Sequence, residues 1–189
     1  MSASKKLASV ILVICLSFIA YGTQKYSQQE VDKVLKAIEK VERETAGQTK
    51  RPMKKISITE SELNSYIAYR IEKKNEKFMK ELRIKLFKKN KVEGMVLVDL
   101  RGERVPSFLR PQMSLYFGGK LEARDGLVKF ILKDLFLEEQ RIEPKVLDFI
   151  IAFAAKIENY EVWSINDWWE LPHGIKDIET ENHKAVFFY

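Results

Sequence analysis

The sequence predicts an α+β protein: a curved antiparallel sheet wrapped around a long amphipathic helix, with a further helix at the N-terminus. Three observations carry this. Between Leu82 and Leu137 the chain reads as four strands joined by tight turns, which argues antiparallel pairing. A wide apolar face at helical spacing opens at Pro144, a residue suited to the first turn of a helix. A narrower helical stripe, Val31, Val34, Leu35, Ile38 and Val41, precedes all the strands. Of the 189 residues, 46% are apolar and 32% charged, a balance that suits a folded core rather than disorder.

The chain begins with Lys5 and Lys6, then the apolar run Leu7–Ala20, then Ala20-Tyr21-Gly22. A basic start, a short apolar stretch and a small-x-small end describe a secretory signal peptide, with cleavage after Gly22. The run is shorter than the roughly 20 residues needed to span a bilayer. An uncleaved anchor extended by Tyr21 and Tyr26 is the alternative, and lipidation of Cys15 is disfavoured by the bulky Ile14 before it. The expected location is the periplasm or cell envelope. Cys15 is the only cysteine, so residues 23–189 carry no disulfide, thiol nucleophile or cysteine metal site.

Three segments follow: residues 1–22 as signal or anchor, 23–55 as helix and basic linker, and 56–189 as one α+β domain. Ser27 with Glu30 is a capping box that opens the first helix, and Gly47 is its expected stop. Ile56 and Ile58 flank Ser57 in a short strand. Thr59 with Glu62 makes a second capping box, and Leu63, Tyr66, Ile67 and Ile71 give a helical face ending near Asn75. The period then changes to two. Leu82–Leu86, the turn Lys88–Lys91 and Val92–Leu100 form a hairpin. Met113, Leu115 and Phe117 begin the next strand, Gly118-Gly119 marks a bulge or bend, and Arg124-Asp125-Gly126 turns the chain into Leu127–Leu137. Ile175–Glu179 and Ala185–Tyr189 close the domain as a hairpin. Several of these strands are apolar on both faces, so one face meets the core and the other something apolar.

Charge is polarised. Residues 50–91 carry fourteen Lys or Arg against five Glu, while residues 134–181 carry twelve acids against four bases. The basic half suits an anionic membrane surface or compensation by the acidic half, and export argues against a nucleic-acid partner. Catalytic signatures are missing. His173 and His183 have no companion at metal-ligand spacing, no nucleophile elbow is present, and no glycine loop precedes a helix. His173, and Asp167 with Glu170, are the only candidates for an exported hydrolase, and Asp167 reads better as a turn cap. The expectation is a non-enzymatic protein without cofactors.

The apolar excess remains to be explained. The order Ile56-Ser-Ile-Thr-Glu-Ser-Glu-Leu-Asn64, helix, long strands, Arg124-Asp-Gly126, helix from Pro144, and Leu171-Pro-His-Gly-Ile175 before a terminal hairpin resembles small bacterial envelope proteins related to the tubular lipid-binding superfamily. The resemblance covers residues 56–189. It implies a long helix wrapped by a curved sheet with an apolar groove between them, and a lipid or acyl-chain ligand. The groove wall is then expected from Val96, Val98, Met113, Leu115, Phe117, Phe130, Leu132, Phe149 and Phe153. Arg104, Arg110, Lys88, Lys89 and Lys91 are the expected head-group contacts. The rival expectation is a scaffold with a dry core, docking an envelope protein through the Ser27 helix, with its Val31–Val41 stripe, and the final strand.

Overall fold

A computed structural model describes residues 26–46, 52–107, 109–158 and 164–189. The signal or anchor, Gly47 and Trp163 lie outside these. Among the described residues the protein is α+β, with a strongly curled antiparallel sheet and three helices. In order, the elements are α1 (Gln28–Thr45), β1 (Lys55–Thr59), α2 (Glu60–Lys74), β2 (Met79–Leu86), β3 (Lys91–Asp99), β4 (Gln112–Arg124) and β5 (Leu127–Leu137). They are followed by β6 (Gln140–Arg141), α3 (Pro144–Glu158), β7 (Trp169–Glu170), β8 (Asp177–Glu181) and β9 (Lys184–Phe188).

The strands form two sheets. The larger has the order β2-β3-β4-β5-β6, with β7 also on β5, and the smaller has the order β1-β9-β8. Local chemistry sets the turns. Lys89 and Asn90 between β2 and β3, and Asp125 and Gly126 between β4 and β5, all have positive φ, as hairpin turns matching strand twist require. The β4–β5 register shifts at Gly118 and Gly119, which pair with Asp134 and Leu132, so a bulge lies where the sequence predicts one, with its extra residue, Lys133, on β5 opposite the glycine pair.

Both helix starts were expected as capping boxes, and they differ. At α2, the Thr59 hydroxyl accepts from the Glu62 amide at 3.2 Å and Glu62 accepts from the Thr59 amide at 2.9 Å. At α1, Ser27 accepts from the Glu30 amide at 3.4 Å, but the Glu30 carboxylate turns away. It accepts instead from Ser61 at 2.7 Å and Ser65 at 2.5 Å, tying α1 to α2. The stripe of α1 is used internally: Val31, Val34 and Val41 are buried. At the far end, Glu44 accepts from Lys54 at 2.8 Å and from the Tyr189 hydroxyl at 3.3 Å.

α2 grips the edge of the larger sheet. Glu60 accepts from the Leu86 amide at 2.6 Å. Asn64 accepts from the Ile84 amide and donates to the Ile84 carbonyl, both at 2.9 Å. The match is geometric: four helical residues advance about 6 Å and two strand residues about 6.6 Å. The next helical position is Ala68, which has nothing to offer Leu82, and an open groove of about 750 Å³ runs between α2 and β2 from Glu60 past Ala68 to Glu76. His183 completes the junction: its amide donates to the Leu86 carbonyl at 3.0 Å and its carbonyl accepts from the Glu60 amide at 2.8 Å. The two sheets and α2 therefore meet at one corner.

Side chains on the inner face of the larger sheet form two clusters, and on β5 that face switches from Leu135 and Leu137 to Val128, Phe130 and Leu132 across the bulge. Phe78, Val98, Leu100, Leu109, Met113, Leu115 and Ile150 form the first, with Val146, Leu147, Phe153, Ala154 and Ile157 of α3 packed against it. Leu86 and Val92 join Ile178 and Ala185 of the smaller sheet in the second, with Leu121, Val128 and Phe130 at its margin. The opposite face carries Met95, Tyr116 and Phe136 in cross-strand register. Tyr116 is exposed there.

Candidate ligand site

The expected wall residues divide by depth. Val98, Met113 and Leu115 are 7%, 1% and 1% exposed, sealed in the cluster beneath α3. Val96 and Phe153 are half-buried at its margin. Phe117, Phe130 and Leu132, also half-buried, stretch toward the second cluster.

Two glycines shape this middle stretch. A Cβ at Gly94 would overlap the Phe117 ring, and one at Gly119 would overlap the Phe130 ring and the Ile131 carbonyl. Each ring lies flat on a glycine of a neighbouring strand, and the two meet edge-to-face at 5.7 Å. Ring-over-glycine packing lowers the wall here, which larger residues at 94 and 119 would raise.

Phe149 reaches the surface of α3 at 40% exposure and stacks on Phe153 at 6.3 Å. Together with Val105, Pro106 and Ala152 these rings line an open cleft of about 560 Å³, flanked by Arg104 and Lys156. Three residues expected from the sequence, Arg104, Phe149 and Phe153, thus converge. Lys156 was not anticipated, although it follows Phe149 and Phe153 at helical spacing.

The other expected head-group residues do not join them. Arg110 is exposed on the β3–β4 loop, outside the cleft lining. Lys88, Lys89 and Lys91 lie in the β2–β3 hairpin, at the opposite end of a nine-residue strand from the Arg104 loop. There the Lys88 amide donates to Asn182 at 3.3 Å, and Lys91 pairs with Glu93 at 2.7 Å. The hairpin serves the junction between sheets.

A second apolar cleft was not foreseen. It measures about 240 Å³ and lies between α1 and the smaller sheet. Val34, Ala37, Ile38 and Val41 form one wall, Ile56, Ile58 and Phe187 the other, with Leu63, Tyr66, Pro172, His173 and Ile175 around them. Ala37 is the one small side chain on the helical wall. Its spacing, three after Val34 and four before Val41, was the available signal.

Of the polar candidates, Asp167 has a structural place. Asp167 accepts from the Ser164 amide at 2.7 Å, capping its turn as expected. His173 is exposed at the second cleft, on a different element from Asp167. Asp99 is held down to about 2 by the side-chain and backbone hydrogen bonds of Arg101, at the start of the β3–β4 loop. Among the described residues, no group of three His, Cys, Asp or Glu is placed to hold a metal, and no helix is long and apolar enough to cross a membrane. Comparison with protein-family models, curated proteins and solved structures returned no match.

Proposed function

We propose that this protein is an exported, non-enzymatic protein of the cell envelope that binds a lipid or other apolar molecule between α3 and the inner face of the larger sheet. In this reading the sheet wraps α3, and the ligand enters at the rim. The cleft beside Phe149 carries the proposal. Stacked rings between two cations suit an amphiphile with an apolar chain and an anionic head, a pattern usual in ligand sites. The chain would pass Phe153 toward Val96, Phe117, Phe130 and Leu132, while Val98, Met113 and Leu115 form the closed floor. Arg104 and Lys156 would each contribute about 1 kcal/mol toward an anionic head group.

The test is native mass spectrometry and solvent extraction of the full chain purified from its own export route. Co-purifying lipid is expected, and it should be lost in Phe149→Asp and in the pair Arg104→Glu and Lys156→Glu. These sites are exposed, so the variants keep the fold. A clean apo mass with no extractable lipid would refute the proposal.

The outer face supports the scaffold reading as the alternative. The row Met95, Tyr116 and Phe136 is the apolar second face that the sequence left unexplained, and Ile131, opposite Lys120 farther along the same face, is 37% exposed. A protein partner would be held there rather than by the α1 stripe, which is buried within the domain. Co-purification of a partner that Tyr116→Glu releases, without lipid, would favour it.

A further inference from the structure

Tyr66, Tyr69, Arg70 and Lys73 share one face of α2, at spacings of three and four. Arg70 donates to the Tyr66 hydroxyl at 2.9 Å and lies 5.8 Å from its ring centre. Lys73 treats Tyr69 the same way, at 2.9 Å and 5.4 Å. Tyr26 meets Tyr69 edge-on at 5.7 Å. The three phenols are half-buried while both cations are exposed, bonded to hydroxyls rather than to carboxylates. Beside them is a shallow depression of about 270 Å³, floored by Ile67, Ile71 and Met79 and rimmed by Lys74 and Glu76.

Residues 70–80 carry five Lys or Arg against two Glu, a local +3. The facing acids are few: Glu76 lies 4.0 Å from Lys74, Glu103 takes Lys77 at 2.7 Å, and Glu72 lies beside Tyr26. Position matters as much as charge. Tyr26 follows the apolar run Leu7–Ala20 after only residues 21–25. Six peptide steps reach at most about 20 Å, so the end of the run can lie no farther than that from Tyr26.

We propose that, in the chain whose N-terminal apolar run is kept as an uncleaved anchor, this face of α2 docks the domain on the anionic bilayer into which that run inserts. Tyrosines favour the membrane–water interface, and cations favour an anionic leaflet. The depression would take acyl-chain segments between head groups. The α3-rim cleft plays no part in this, so the docking face stands or falls independently of the ligand reading.

The test uses the full chain carrying Cys15→Ala and one new cysteine, labelled with an environment-sensitive fluorophore and reconstituted into vesicles. Lys74→Cys reports the face, and Asp125→Cys, in the turn at the other end of the sheet, is the control. On vesicles of 3:1 phosphatidylcholine to phosphatidylglycerol, the label at 74 should shift to a shorter wavelength, and the label at 125 should not. Each cation near such a surface favours docking about 5-fold. Arg70→Glu with Lys73→Glu should therefore reduce the docked population by about 25-fold or more while circular dichroism is unchanged. The milder Arg70→Gln with Lys73→Gln should give an intermediate loss. No shift at 74, or an equal shift on pure phosphatidylcholine, would overturn the proposal.

Discussion

Replacing Asn64 by alanine should open the β2 edge of the larger sheet. The Asn64 amide is a two-point latch on Ile84, accepting from its N–H and donating to its carbonyl, both at 2.9 Å. Each such bond contributes about 1 kcal/mol net, so the pair contributes about 2 kcal/mol. The Ile84 N–H left behind costs somewhat more, but the neighbouring open groove admits water and keeps that to roughly 0.5 kcal/mol. Alanine is the better helix former by about 0.6 kcal/mol, which offsets that cost. The expected loss is about 2 kcal/mol. For a chain of this size that lowers Tm by about 4–8 °C. Urea unfolding followed by circular dichroism should show a lower midpoint with an unchanged slope. Asn64→Asp sharpens the test, since it keeps the acceptor for the Ile84 N–H but sets a carboxylate against the Ile84 carbonyl. It should destabilise at least half as much as alanine. A loss below about 0.5 kcal/mol for Asn64→Ala would refute the latch, because helix propensity alone cannot hide two bonds.

Gly119→Ala should destabilise by about 1–3 kcal/mol in the same assay, since its methyl would meet the Ile131 carbonyl and the Phe130 ring, and the backbone must move. Ala37→Leu should do the opposite: filling the 240 Å³ cleft under α1 should raise stability by about 1 kcal/mol, and an unchanged or lowered Tm would show that the helix cannot accept the larger side chain. Asp99 should titrate near 2 by carboxyl-carbon NMR, and Arg101→Ala should return it toward 3.8. Because the folded value lies below the ordinary one, the stabilisation from this pair is complete above about pH 4 and is lost as the pH falls toward 2.

Local chemistry was readable wherever the signal was short-range. Thr59 and Glu62, Asp125 and Gly126, and the Pro144 helix start all stand where the sequence puts them, because each is decided within four residues. Long-range pairing was not readable. The strand at Ile56–Ile58 was visible, but that β1 joins β9 and β8 in a sheet of its own depends on a contact across more than 120 positions. Glu30 shows the same limit from the other side. Its spacing from Ser27 satisfies the capping-box rule, yet two hydroxyls on α2 compete for its carboxylate and win.

The candidate site exposes a deeper ambiguity. Inward apolar residues on β3 and β4 alternate in the same pattern whether a helix or a ligand covers them. Leu115 and Phe117 differ by two positions on one strand, yet one is sealed at 1% exposure and the other is half-buried. What separates them is what lies opposite: α3 over Leu115, and Gly94 under the ring of Phe117. Phe149 and Phe153 make the point within one helix. Four residues apart and stacked, they read as one core stripe, yet only Phe149 turns outward between Arg104 and Lys156. The discriminating feature is a large apolar ring held at the surface beside two cations. That follows from where the β3–β4 loop folds back on α3, which the spacing of residues along the chain does not encode.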